Sequence, residues 1–147
     1  MIAENRGVFM PLMNYTTKVE VPITIGEISS VLVQKVGARK IMQDYSEKGE
    51  ILSLTFAIDT PLGERYVKLP ANIDAVQKVL EKQKVKCDRA QAARVAWRIV
   101  KDWVEAQAAI LESRMVDADE IFLPYMLTNG AGETVYQKYR AQQLMLE

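Results

Sequence analysis

The chain reads as an α+β domain in the order β-α-β-β-β-α-α, with a helical C-terminal tail. Three observations predict it. Residues 50–59 alternate, Leu52, Leu54, Phe56 and Ile58 against Ser53, Thr55 and Ala57, which is the period of a strand with one buried face. Short turns at 46–49 and 60–63 bound that strand, and turns this short force its neighbours antiparallel. Apolar residues then recur at helical spacing over 72–83 and 88–114. The 147 residues suit one domain. A domain of that size buries about 70% of its unfolded surface and holds a core without staples.

Each element has its own warrant. Residues 14–21 alternate, with Tyr15, Thr17, Val19 and Val21 on one side and Thr16, Lys18 and Glu20 on the other. This predicts a first strand, ended by Pro22, which cannot donate to a ladder. Thr24 and Glu27 stand at capping-box spacing ahead of Ile25, Ile28, Leu32 and Val36. A helix over 24–36 follows, with Gly37 at its end. Residues 39–45, 50–59 and 64–69 form a three-stranded antiparallel meander. Val67 and Leu69 point inward, Tyr66 and Lys68 outward. Helices cover one face of such a sheet. The other face carries Ser53, Thr55, Tyr66 and Lys68 toward solvent or a partner. Pro70 and Asn72 open the helix over 72–83, whose stripe is Ile73, Val76, Val79 and Leu80. Asp88 caps the long helix over 88–114. Its core positions are Ala93, Trp97, Val100, Val104, Ala108 and Leu111, widened by Ile99, Trp103 and Ile110. A short helix or turn over 117–127 breaks near Pro124. Residues 129–132 form a glycine-containing loop, and Thr134 caps a last helix carrying Val135, Tyr139 and Leu144. Residues 1–13 are expected to be a flexible extension of a single domain spanning 14–147. Met13, directly before the alternating segment, is a candidate natural start.

Composition excludes more than it assigns. The 19 basic and 19 acidic residues cancel, so no net charge advertises a partner. The single Cys removes an internal disulfide framework and a cysteine-rich zinc site. The absence of His removes the commonest general base and metal ligand. No apolar run approaches the ~20 residues of a membrane helix, so no membrane contact is expected; the single thiol and the lack of an export signal make the cytoplasm the expected compartment. Cys87 lies near a helix start beside Lys86 and Arg89, which would lower its pKa. It has no His to act as its base and reads as an inert thiol. Asp117, Asp119 and Glu120 cluster, and Asp44, Asp59 and Glu64 could converge near strand ends, as a two-metal hydrolase would need. Glu64-Arg65-Tyr66 lacks the Lys of the nuclease pattern, so caps and solvated strand ends account for these acids. The loop at 129–132 does not follow a strand, as a phosphate cradle would. The expectation is a protein that is not an enzyme and uses no cofactor.

The least random feature is charge segregation. Eight cations fall between Lys78 and Lys101 (Lys78, Lys82, Lys84, Lys86, Arg89, Arg94, Arg98 and Lys101), interrupted only by Glu81 and Asp88. From Asp102 to Leu123 there are six acids and one base, Arg114. A basic stripe along a helix can neutralise phosphates. Cations near a helix N-terminus oppose the macrodipole, so something other than helix stability has placed them there. Two plainer readings stand beside this one. Arg98 with Asp102, and Lys101 with Glu105, sit at pair-forming spacing. The halves could also pack head to tail against a neighbouring subunit. Trp97 and Trp103 do not share a helix face, so core or interface placement suits them better than base stacking. Tyr66 beside Lys68 is the better stacking candidate.

The helix, the meander with the hairpin Gly-Glu-Ile-Leu-Ser-Leu-Thr-Phe-Ala-Ile-Asp at 49–59, and the helix Arg-Ala-Gln-Ala-Ala-Arg-Val-Ala-Trp-Arg at 89–98 together span 24–113. This topology resembles the single-strand annealing proteins of phage and eukaryotic recombination, built on a double-stranded-RNA-binding-like core. In that superfamily single-stranded DNA lies in a basic groove between sheet and helices of a ring or filament. Carried onto this chain, the resemblance implies Lys82, Lys84, Lys86, Arg89, Arg94 and Arg98 as nucleic-acid contacts. The chain's style, with Val-Ala-Trp-Arg-Ile-Val-Lys-Asp-Trp at 95–103, also resembles proteins of phages and integrated elements. The expectation is a self-associating, non-enzymatic protein that binds or anneals single-stranded nucleic acid. The alternative is a structural or protein-interaction accessory with no nucleic-acid role.

Overall fold

The computed structural model describes residues 10–128 and 132–142. The α+β expectation holds: a three-stranded antiparallel sheet packs on helices. The elements are α1 (Val21–Val31, continued by a π-helical turn over Leu32–Val36), β1 (Lys40–Tyr45), β2 (Ile51–Thr60), β3 (Gly63–Lys68), α2 (Ile73–Lys82), α3 (Arg89–Glu112), α4 (Ala118–Phe122, running into a 3-10 turn over Leu123–Tyr125) and α5 (Val135–Gln142). The sheet order is β1-β2-β3, the predicted meander.

The first strand is a correction. Residues 14–20 form no ladder. Asn14 takes a left-handed φ of 65°, Tyr15 N–H donates to Leu12 O, and Thr17 N–H donates to Asn14 O. The segment then runs along α3, where the Gln91 side-chain amide donates to Tyr15 O at 3.1 Å and Thr17 O at 2.9 Å. A side chain therefore satisfies the carbonyls that a neighbouring strand would have taken. Burial still alternates as the sequence does, with Tyr15, Thr17 and Val19 half-buried and Thr16, Lys18 and Glu20 exposed. Period-two patterning reports an extended chain lying on a surface, and pairing is a separate matter. The topology is thus α-β-β-β-α-α with a helical tail.

Helix α1 begins three residues before the predicted start. Pro22 opens the helix rather than closing a strand, because its fixed φ suits the first turn. Thr24 therefore lies inside the helix, fully buried, and does not cap it. Gly37 ends the π-helical turn at φ 90°, as expected. Of the expected extension, residues 1–9 lie outside the described ones. Pro11 and Leu12 are half-buried, and Leu12 N–H donates to Gln83 Oε1 at 2.9 Å.

The core lies between the inner sheet face and the α1–α3 pair. Leu54, Phe56, Ile58 and Val67 meet Ile25, Ile28, Leu32, Trp97, Val100 and Val104. Phe122 closes one end, edge-on to Phe56 with ring centroids 5.3 Å apart and to Trp103 at 5.9 Å. The alternation places Leu52 on the inward face, but it is 47% exposed. Asp44 pairs with Ser53 but Tyr45 pairs with Ile51, so Leu52 is the extra residue of a β-bulge and Ile51 takes the buried position. A smaller cluster of Ile73, Ala92, Ala93 and Ala96 joins α2 to α3; three alanines let the helices approach closely.

The outer edge of β3 is covered. Leu127 N–H donates to Tyr66 O, and Val135 N–H donates to Met126 O. Thr134 and Gln137 exchange hydrogen bonds as a capping box for α5. Leu144 and residues 129–131 of the predicted loop lie outside the described residues.

Candidate nucleic-acid interface

The cations over 78–101 divide into two environments, and packing against α1 decides which is which. Arg94, Arg98 and Lys101 recur on the face of α3 that meets α1. Arg98 is 17% exposed; its Nη1 donates to Glu27 Oε1 at 2.7 Å and to Thr24 Oγ1 at 3.3 Å. Arg94 is 22% exposed, held by Gln91 Oε1 at 2.8 Å and by Glu20 at 3.4 Å. Lys101 joins Glu105 at 3.0 Å, the anticipated helix pair, and reaches Glu27 at 4.0 Å. Asp102, the anticipated partner of Arg98, instead accepts from Asn14 Nδ2. Arg89 is exposed but doubly held. Its Nε and Nη2 fork onto both oxygens of Glu50 at 3.1 Å, and its Nη1 bonds Asp74. These hydrogen bonds, Glu50 first, push its pKa further up.

Lys82, Lys84 and Lys86 sit elsewhere, on the corner between α2 and α3. They are exposed and alternate with half-buried Gln83, Val85 and Cys87. None of the three, nor Lys78 one turn earlier on α2, has a carboxylate within 4 Å among the described residues. The α2 C-terminus explains the corner. Lys84 N–H donates to Glu81 O and Val85 N–H to Leu80 O, both at 2.9 Å, which is a Schellman ending. That ending needs a left-handed residue, and Lys84 supplies it at φ 61°. Glycine is the usual occupant because a Cβ there costs roughly 1–2 kcal/mol. Lys84→Gly should therefore raise stability by about 0.5–1 kcal/mol, measured as a higher melting temperature. Lys84→Ala keeps the Cβ and should show no such gain. Equal gains for both would mean that the conformation carries no strain.

Comparison with known proteins finds no matching family model, no matching curated protein and no matching solved structure.

The remaining candidates resolve by placement. Burial raises the Cys87 pKa, helped by the Asp88 and Glu81 charges, opposite to the lowering expected from Lys86 and Arg89. Its thiol donates to Asp88 O at 3.2 Å and stays protonated at neutral pH. Asp59 and Glu64 pair across β2 and β3, but Asp44 lies at the other end of the sheet. Each is engaged separately: Asp59 with Arg39 at 3.5 Å, Glu64 with Lys40 at 3.3 Å, and Asp44 with Ser53 Oγ at 2.8 Å. Asp117 and Glu120 form the capping box of α4. Among the described residues no three acids or thiols gather as metal ligands. None of the described helices is long and apolar enough to cross a membrane.

Trp97 is fully buried. Trp103 is half-buried against Phe122 and Tyr125. Both belong to the core and cannot stack on a base. Of the sheet face expected to meet solvent or a partner, Lys68 is exposed and Tyr66 half-buried, with Lys40 Nζ 5.8 Å over its ring and 3.3 Å from its hydroxyl, but Ser53 and Thr55 are buried.

Proposed function

We propose that this chain binds the phosphate backbone of single-stranded nucleic acid through Lys78, Lys82, Lys84 and Lys86. The observation that carries the reading is the run of outward lysines at alternate positions 82, 84 and 86, free of carboxylate partners among the described residues. In a chain with zero formal charge, such a cluster is a local positive field able to release counterions from phosphates. The α2 C-terminus carries partial negative charge, which Lys82 and Lys84 offset. Lys84 further occupies a left-handed conformation that glycine adopts at lower cost, so the backbone geometry of the helix end does not itself call for a side chain there. Arg89, Arg94 and Arg98 leave the proposed contact set, because carboxylates of this chain already engage them, Arg94 and Arg98 in the α1–α3 seam and Arg89 at the surface. The resemblance of the helix–meander–helix topology to single-strand annealing proteins supports annealing as the activity that this binding would serve.

A labelled single-stranded oligonucleotide titrated at several salt concentrations tests this by fluorescence anisotropy. Binding should weaken with salt and exceed that to duplex. Replacing Lys82, Lys84 and Lys86 together with Gln should lower the slope of log affinity against log salt by about 2, at roughly 0.7 per phosphate contact. The fold should be unaffected. An unchanged slope removes the lysine corner as the site. No binding of the unaltered protein at low salt removes the nucleic-acid class. It would favour the second reading, a protein-interaction accessory, for which the open edge of β1 speaks.

A further inference from the structure

The two edges of the sheet are treated differently. Met126 and Leu127 cover β3. No described residue outside β2 makes a backbone hydrogen bond to β1. An exposed edge strand is a template for another strand, and proteins that do not use one usually blunt it. This edge holds Met42, 52% exposed, and Tyr45, 57% exposed.

The direction of its free backbone groups follows from the ladder. Leu69 N–H donates to Leu54 O, so alternate residues Leu54, Phe56 and Ile58 turn their backbone groups toward β3. Ser53, Thr55 and Ala57 turn theirs toward β1, where they face Asp44, Met42 and Lys40. Ile41 and Gln43 are left with N–H and C=O directed outward.

The sequence of the strand then selects a partner. If two copies of β1 meet antiparallel about a two-fold axis through Met42, Ile41 of each exchanges backbone bonds with Gln43 of the other. Met42 meets Met42 at the axis in a non-hydrogen-bonded pair, where side chains approach most closely. On the same outer face, Lys40 of each copy falls opposite Asp44 of the other, twice. Shifting the axis to residue 40 sets Lys40 against Lys40, and shifting it to residue 44 sets Asp44 against Asp44. A one-residue shift of the axis to 41 or 43 keeps the faces but sets Lys40 or Asp44 against Met42 with no charge gain, so the register about Met42 is the one that charge favours. Both charged groups are exposed and engaged only within their own sheet, Lys40 with Glu64 and Tyr66 and Asp44 with Ser53.

We propose that β1 is the self-association edge of this protein. Two copies pair through Lys40–Tyr45 about Met42 into a continuous six-stranded sheet with reciprocal Lys40–Asp44 contacts. This is independent of nucleic-acid binding.

Sedimentation of the full chain over a concentration series tests it. The unaltered protein should show a monomer–dimer equilibrium. Asp44→Lys sets lysine against Lys40 twice and should weaken the dimer about tenfold or more, two pairs turning from attraction to repulsion. Lys40→Asp together with Asp44→Lys exchanges the charges and should restore it. Circular dichroism checks that each variant folds. A strictly monomeric unaltered protein overturns the proposal. So does a dimer indifferent to Asp44→Lys, which would place the contact elsewhere, and so does failure of the charge exchange to rescue a folded double variant.

Discussion

Phe122→Ala should lower the unfolding free energy by about 3–5 kcal/mol, the usual cost of emptying a buried aromatic site. Phe122 is fully buried and touches two layers at once. Its ring stands edge-on to Phe56 of the central strand and to Trp103 of α3. Such pairs add roughly 0.5–1.5 kcal/mol beyond burial. The residue is presented by α4, a helix of five residues held by the Asp117–Glu120 capping box. So short a helix has little stability of its own and depends on this one side chain for docking. Its loss should therefore also release the Met126–Leu127 segment from β3. In a domain of this size the melting temperature should fall by on the order of 10 °C. Phe122→Leu keeps most of the volume and should cost about 1 kcal/mol more than no change. Chemical denaturation of the three proteins checks the order. Equal stability for the Ala variant would mean that the C-terminal third does not complete the core.

The rest of the chain shows where sequence reading succeeds and where it stops. The meander, α2 and α3 were legible to within a residue or two, because their signals are local: alternation, Pro61 and Gly63 in a turn, Asn72 and Asp88 at helix starts. Both caps are in place, Asn72 accepting from Ala75 N–H and Asp88 from Gln91 N–H. The first strand failed because alternation encodes which side chains are covered, and the cover here is a helix. Leu52 failed because a bulge shifts the alternation by one and depends on the register of the partner strand. Among the site residues the same divide applies. Lys82 ends α2, Lys84 and Lys86 lie in the connection to α3, and all three stay exposed. Arg94 and Arg98 lie on a helix whose polar face could have met water. Carboxylates 74 and 71 residues away reach them instead. No count of charges along a chain reports a contact of that range. The one available signal was the Thr24–Glu27 spacing, which marks two polar groups on one face of α1. At capping-box spacing that pair predicts a helix start; in the structure it receives Arg98.

The role of Arg98 follows from that geometry and gives the second large effect. Arg98→Ala should destabilise the protein by about 2–3 kcal/mol. Removing the guanidinium deprives Glu27 of its shortest contact and leaves the fully buried Thr24 hydroxyl without its 3.3 Å donor. It also strips the aliphatic stem from the α1–α3 seam. Lys101, at 4.0 Å, is too far to replace the bond. Removing both charges is different in kind. Arg98→Met with Glu27→Leu fills the same space with apolar groups, and such replacements are often neutral or stabilising. The double variant should recover most of the loss, with a coupling free energy on the order of 1–2 kcal/mol between the two positions. The salt dependence of oligonucleotide binding should be the same for the Arg98 variants as for the unaltered protein, measured below their melting temperatures. The lysine triple variant should show the reverse, unchanged stability with a shallower slope. If Arg98→Ala instead left stability intact and flattened the slope, the guanidinium would be facing phosphate rather than Glu27, and α1 would have to move away from α3 to expose it.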